Sequence, residues 1–510
     1  MPDHANRGGT IARNTLMLYV RMLALMLVGL YTSRVVLGAL GEDDFGIYNV
    51  VGGVVAMFTI ISGALNSAVS RFITFEMGKG TEAQLNKVYS TAVTIQLILA
   101  AVVVLLAEPA GLWFIDHKMT IDPSRIPAAR WVLHFSLLAF VINLMSVPQM
   151  ASITAHEHMS AYAYIGILDG LLRLGVALLI MHSPMDRLIF YAALMTAVVL
   201  IVRLAYGLYC RIHFEECRYH PVFDRPLIKE MFSFAGWNFI GVTSGVLRDH
   251  GGNILVNLFS GPAVNAARGV AVQLNGAVQG FVTNFMTAVN PQITKSYAAG
   301  DREYMFGLIR RSSRMSFYLL FLIALPVILN VDYLLSIWLK EVPAHSSLFV
   351  KLFLIFSLSE SLSNPMITGM LATGNIRNYQ LVVGGIQLLN LPVSYVCLRM
   401  GAIPEVTVIV AIIISQICMW ARLLMLSKAT GFPVLPFLME VYFSILFKVV
   451  CGALVVPMIL EAVKPEGFMG FLISASVSVI WSMFVIFALG LHADERKWLV
   501  NKIKEKFVKK

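Results

Sequence analysis

The sequence predicts an all-α, polytopic membrane protein of about fourteen transmembrane helices, in two pseudo-symmetric six-helix lobes plus two C-terminal helices. Three observations predict it. The 510-residue chain is 58% hydrophobic and only 13% charged, with mean hydropathy +0.76, where soluble proteins carry about 25% charged residues. Apolar stretches long enough to cross a bilayer, about 20 residues each, recur along its whole length. The connections between them are too short to hold a soluble catalytic domain; the longest outer one covers residues 108–126.

The spans follow in order. The first, 14–40, comes after Arg7 and Arg13 and is interrupted by Arg21. No small-residue cleavage site follows, so it reads as an uncleaved span and not a signal peptide. Spans at 44–76, 84–107, 127–150, 160–182 and 186–210 complete an N-terminal lobe, 1–210. Residues 211–229 mix charge, aromatics and proline and read as a cytoplasmic interfacial linker. Spans at 230–259, 262–295, 310–331, 345–373, 378–399 and 404–428 form a C-terminal lobe, 230–428. Two more, 437–461 and 467–491, make up 429–491, ahead of a basic tail, 492–510. In that tail Leu499, Ile503 and Phe507 share one face opposite lysines, as in an amphipathic helix lying on an anionic leaflet or in a solvated tail.

Charge sets the orientation. Arg71, Lys79, Lys87, Arg211, Arg218, Arg225, Lys229, Lys295, Arg302, Arg310, Arg311, Arg314, Arg377, Arg422, Lys428 and the tail lysines fall on one side. Lys118, Arg125, Arg130, Arg187, Lys340, Arg399 and Lys464 fall on the other. Cytoplasmic loops collect Lys and Arg, so both termini are expected in the cytoplasm. The net charge of +10 then has a topological source and implies no nucleic acid. The five cysteines form no CxxC pair and imply neither a disulfide framework nor a zinc site. The triplet His156-Glu157-His158 lacks the HExxH spacing and reads as a loop motif; no metal is expected. No GxxxxGK[ST] loop is present, so ATP hydrolysis within the chain is not expected.

The chain echoes itself. At an offset of 220, Gly41 meets Gly261, Ala68-Val69 meets Ala288-Val289, Ile73-Thr74 meets Ile293-Thr294 and Gly80 meets Gly300. At an offset of 217, Pro148 meets Pro365. Repeated bundles with a site between them are the common plan of secondary transporters.

Polar residues at membrane depth locate the chemistry, because ionisable groups there are costly and mark pathways or pairs. In the seventh span, Asn238, Gly245, Asp249, Asn253 and Asn257 share a face, flanked by Arg248 and His250. That stripe lines a water-filled path or packs against another helix. In the eighth span Arg268 shares a stripe with Asn265, Asn275, Gln279, Thr283 and Asn290. Arg21 lies deep in the first span and Arg34 nearer its outer end. Arg34 and Arg268 either face a cavity or snorkel to the outer interface. Asp169 and Arg173 are spaced to pair on one helix. Asp249 either neutralises Arg248 or His250 or binds a coupling cation or proton, and Glu360, among four serines, is a second coupling candidate.

The runs LYTSRVVLGALGEDDFGIYNVVGG, NSAVSRFITFEMGKG, VPQMASITAHEHM, FAGWNFIG, GPAVNAARGVAVQLNGAVQGF and NPQITKSYAAGD resemble the polysaccharide-transport branch of the multidrug/oligosaccharidyl-lipid/polysaccharide (MOP) exporter superfamily. More narrowly, they resemble the Wzx-type lipid-linked oligosaccharide (O-antigen/polysaccharide) flippases, along roughly residues 10–490. The resemblance implies two six-helix lobes facing across a cavity and alternating access. It implies passage of an undecaprenyl-diphosphate-linked oligosaccharide from the inner to the outer leaflet of the bacterial inner membrane, for surface polysaccharide and lipopolysaccharide biosynthesis. Arginine suits a diphosphate because its planar fork binds bidentately. Arg21, Arg34, Arg248 and Arg268 are therefore the expected diphosphate contacts, with Asn253, Asn257, Asn275 and Gln279 as polar lining. No catalytic residue or cofactor is expected. The expected partners are the lipid-linked cargo, membrane lipids, H+ or Na+, and a polysaccharide polymerase with its assembly proteins. Two transport alternatives share the fold: a cation-coupled multidrug exporter and a peptidoglycan lipid-precursor flippase. The first span has no acid and two arginines, which disfavours cationic cargo.

Overall fold

In lipid, backbone amides of apolar runs this long are satisfied only by their own helix or a closed barrel. Among the described residues every regular element is helical and none is a strand. The structure is a computed structural model that describes residues 4–56, 58–117, 119, 121–183, 185–339, 341–450, 455–456, 467–497 and 500. The amphipathic tail expected at Leu499, Ile503 and Phe507 and the second half of the thirteenth span lie outside the described residues, as does the Arg34 side chain.

The helices are α1 (His4–Ala56), α2 (Thr59–Lys79), α3 (Glu82–His117), α4 (Ile126–Ala155), α5 (Met159–Leu179), α6 (Arg187–His213), α7 (Arg225–Ala298), α8 (Arg302–Leu329), the short α9 (Val331–Trp338) and α10 (Ser346–Ala372). They continue with α11 (Arg377–Arg399) and α12 (Val406–Thr430), α13 (434–450) and α14 (Gly467–Gly490). Nine of the described helices are long and apolar enough to cross a membrane, and the protein is a multi-pass membrane protein. Expected spans 1, 2, 7 and 8 fall in α1, α2 and α7, and α7 carries both polar stripes.

Two helices are far longer than a bilayer is thick. α1 has 53 residues and α7 has 74, and each bends at one glycine. Gly41 sits at φ 80, ψ 172 and Gly261 at φ 80, ψ 178, a region essentially closed to residues with a Cβ. The sequence reading broke the chain at 41–43. The helix in fact resumes directly after Gly41, because nothing else there breaks it, and α1 runs on to Ala56 before α2 begins at Thr59. Gly41 and Gly261, one of the two glycine pairs of the 220-residue echo, thus share one backbone conformation, and Pro148 and Pro365 both lie inside helices.

The chain divides into two compact units. Unit 1 holds 1–243, 287–301 and 374–377; unit 2 holds 244–286, 302–373 and 378–510. In unit 1, α4 packs against α2, α3 and α6, and α1 against α5. Val132, Leu133, Leu137 and Leu144 of α4 meet Ala100, Val103 and Ala107 of α3 in its core. Residues 214–224 are stitched onto α3: Asn86 donates to the Glu216 and Arg218 carbonyls at 2.8 and 2.7 Å, and Lys87 pairs with Asp224. Asp224 then caps α7 by accepting from Leu227 N at 3.0 Å, as helix N-caps do.

In unit 2, α10 packs against α8 and α12, and α14 against α8. Arg314, read from sequence as a loop charge, is 2% exposed and pairs with Glu495 at 2.6 Å. The charge of that inward-facing arginine is met by an acid just beyond α14.

Candidate functional site

The polar stripe of α7 and the arginine that follows its kink converge within unit 2. Arg248 holds Asp249 bidentately, Nε to Oδ1 at 2.9 Å and Nη2 to Oδ2 at 3.2 Å. Its guanidinium lies 4.7 Å from the Phe356 ring centre. Arg268 is 4% exposed. Its Nη1 donates to Asn253 Oδ1, its guanidinium lies 5.3 Å from the Phe353 ring centre, and its Nε has no hydrogen-bond partner. Arg248, Asp249, Gly252, Arg268, Phe353, Phe356, Asn390 and Thr407 line one small cavity of about 10 Å³, room for about one water.

The local sequence explains the convergence. A Cβ on Gly252 would come within 2.7 Å of Arg268 Nη2, and one on Gly251 within 2.5 Å of Leu391 Cδ2. The paired glycines are thus points of close approach. The backbone of α7 leaves the helical region further on, at Gly261.

Behind the cleft is a buried ion pair. Glu360 Oε1 accepts from Ser415 Oγ at 2.5 Å and from Arg422 Nη1 at 3.4 Å. Arg422 is 2% exposed, with Tyr379 beside it, and Arg248 is close enough to act on the same carboxylate. A chain of donors ends at Glu360. Tyr442 OH donates to Gln416 Oε1 at 3.1 Å, Gln416 donates to Ser359 Oγ, and Ser359 lies 3.0 Å from Ser415 Oγ.

The remaining predicted residues are placed as follows. Asn275 accepts from Ser357 Oγ at 2.7 Å and joins α7 to α10. Asn257 is exposed and Gln279 half-buried. Arg21 belongs to unit 1. It lies over the Tyr162 ring at 4.5 Å, against Gly166, with its Nε unpaired. Arg173 pairs with Asp169 at 2.9 Å, i to i+4 on α5.

Sequence reasoning missed Arg422, taken as a topology charge, and Asn390. Arg422 lies seven residues after Ser415, two turns along one helix face, and that spacing was a usable signal. Asn390 carried none. It is 2% exposed, and its Nδ2 has no hydrogen-bond partner.

Unit 1 has a larger cavity, about 920 Å³, lined by Asp43, Asp44, Asp122, Ser124 and Arg125 among others. Its charge has the wrong sign for an anion: Arg125 is already held by Asp44, and by Asp186 at 2.5 Å.

The all-α membrane fold is shared with solved MOP-superfamily proteins. The structure of MATE in the bent conformation superposes with TM-score 0.73 at 11% identity, over 83% of this chain and 96% of that one. A MOP-superfamily transporter from Pyrococcus furiosus, described as having a binding pocket of reversed polarity, gives 0.71 at 11% identity, over 83% and 95%. The chain belongs to the polysaccharide biosynthesis protein family, whose family model matches residues 11–297, more than half of it. It is also 22% identical over 332 residues to the uncharacterized membrane protein EpsK of Bacillus subtilis (strain 168), a match covering 64% of each chain.

Proposed function

We propose that this protein is a flippase for undecaprenyl-diphosphate-linked oligosaccharide, carrying it from the inner to the outer leaflet of the bacterial inner membrane by alternating access. The observation that carries the reading is the charge of the unit 2 cleft. Arg248 and Arg268 meet one acid, Asp249, among aromatic walls. The cleft is therefore net positive, suited to a diphosphate and unsuited to a cationic drug. Family membership supports a polysaccharide-related cargo.

Asp249 occupies the fork of Arg248 as a phosphate would, and its side chain is 59% exposed. Cargo binding exchanges one anion for another at the same guanidinium, so no arginine is left bare at depth, where an unpaired charge is costly. A proton or Na+ taken up by Asp249 would free the fork and couple the gradient to cargo binding. Glu360, gripped by Arg422 and Ser415, is a fixed counter-ion in this scheme and not the coupling site. Arg21, in unit 1, and Arg34 stay expectations from the sequence.

The test is genetic. Deleting the gene should accumulate a lipid-linked oligosaccharide on the inner leaflet, and a plasmid copy should clear it. A variant with both Arg248→Ala and Arg268→Ala should insert but fail to clear it. No accumulation, with raised sensitivity to cationic drugs, would favour the multidrug-exporter alternative.

A further inference from the structure

The His156-Glu157-His158 turn between α4 and α5 looks idle from sequence. In unit 1 it is one of the most heavily tied points. Glu157 sits at φ 61, the left-handed region that residues with a Cβ avoid. Its carboxylate nevertheless grips the end of α7: Oε1 takes Lys295 Nζ at 3.1 Å and Oε2 takes Gln292 Nε2 at 3.0 Å. Its carbonyl accepts from Asn14 Nδ2 of α1 at 3.2 Å. The flanking histidines anchor the turn, His156 Nε2 on Glu216 Oε1 at 2.5 Å and His158 Nδ1 on Tyr209 OH at 2.9 Å.

Around this turn the end of α7 is closely packed. Leu18, Met159 and Ala288 are fully buried together. A Cβ on Gly78 of α2 would come within 2.7 Å of the Lys295 carbonyl oxygen, so only glycine allows that approach. Yet the same helix, which starts in unit 1, belongs to unit 2 from Ser244 to Met286 and to unit 1 again from Thr287. One continuous helix therefore changes unit within a single peptide link, five to eight residues before the two side chains that Glu157 holds.

We propose that Glu157 is the jaw of a polar latch, with Gln292 and Lys295 as its catch, that fixes the last turns of α7 in unit 1 and must open before those turns can leave it. The turn's strained backbone is tolerated because it aims the carboxylate at both donors. The latch does not depend on the identity of the cargo. If the transport reading stands, its opening is one of the steps that expose the basic ends of the helices.

Hydrogen–deuterium exchange of the full-length protein in detergent reads the latch without any cargo. Glu157→Gln and Lys295→Gln should each speed exchange of amides in 287–301 by about tenfold, the worth of a charge-assisted hydrogen bond of about 1.5 kcal/mol. Peptides from α3, α8 and α12 should not change. The charge-swapped pair Glu157→Lys with Lys295→Glu should restore most of the protection. Glu157→Gly separates the two roles of the position: it relieves the backbone but removes the jaw, so it should loosen 287–301 as Glu157→Gln does. Unchanged exchange in folded Glu157→Gln overturns the latch. So does a Glu157→Gly variant that protects 287–301 at least as well as wild type, since the position would then serve only the turn. Should a single variant fail to fold, the swapped pair decides: loose exchange there overturns the latch, and wild-type protection supports it.

Discussion

The role of Glu360 can be decided by a double-mutant cycle with Arg422. The side chains are 16% and 3% exposed and meet at 3.4 Å, so each depends on the other for its counter-charge. Replacing Arg422 with methionine leaves a carboxylate with the Ser415 hydroxyl and the more distant Arg248. Replacing Glu360 with leucine leaves a buried guanidinium facing an apolar side chain. Breaking a buried pair from one side costs about 3–5 kcal/mol, whereas replacing both partners by apolar groups of similar size is about neutral or stabilising. The two single variants should therefore each lower the thermal midpoint in detergent by several degrees. The double variant, Glu360→Leu with Arg422→Met, should recover most of that loss, giving a coupling of at least about 2 kcal/mol. Unfolding is read by light scattering and size exclusion after heating, against an exposed control such as Arg311→Met. Additive losses would refute the pairing. A stable Glu360→Gln variant that has lost only gradient-driven cargo movement would refute the counter-ion role and make Glu360 the proton carrier.

Other outcomes follow from the same geometry. Gly252→Ala and Gly166→Ala should displace Arg268 and Arg21 from the faces they occupy, because the added Cβ meets the guanidinium in each case; both should lower glycan display in cells while membrane levels stay near wild type. Gly261→Ala has open space around the new Cβ, so its cost is purely backbone, about 1–3 kcal/mol, and should appear as a lower thermal midpoint. At Asp186, burial alone would raise the carboxyl, but its bond from Arg125 and the Ile189 and Leu188 amides outweighs that and holds it below its ordinary value of 3.8. A lowered folded-state value gives stability that is present above the unfolded value and lost as pH falls through the folded one. Asp186→Asn should therefore flatten the acid-side loss of stability, and an unchanged acid profile would contradict the pairing.

Much of the fold was legible because lipid forces backbone satisfaction into helices and leaves length and hydropathy as a record of it. The kink glycines were legible as an echo 220 residues apart, since only glycine adopts the conformation both share. Asp249, Asn253 and Arg268 were readable as members of polar stripes and Arg248 as a flank of one, and the contact of Arg268 with Asn253 followed once α7 bent at Gly261. What was not legible depended on neighbours distant in sequence. Arg314 and Arg422 look like any basic residue near a helix end until Glu495 and Glu360 are placed against them. Asn390 has no periodic signal at all, and Glu157 is a polar residue in a short turn until Lys295 arrives from another helix.

The central claim is that the cleft of unit 2 binds an anion. Isothermal calorimetry of the purified protein with a short-chain prenyl diphosphate, in low-salt detergent, measures it directly. The account predicts saturable binding, weakened about tenfold or more by Arg268→Ala, in line with about 1.5–3 kcal/mol for a charged hydrogen bond, and no binding of a lipophilic cation such as ethidium. Binding of the cation with none of the diphosphate, or diphosphate binding indifferent to both Arg248→Ala and Arg268→Ala, would contradict it.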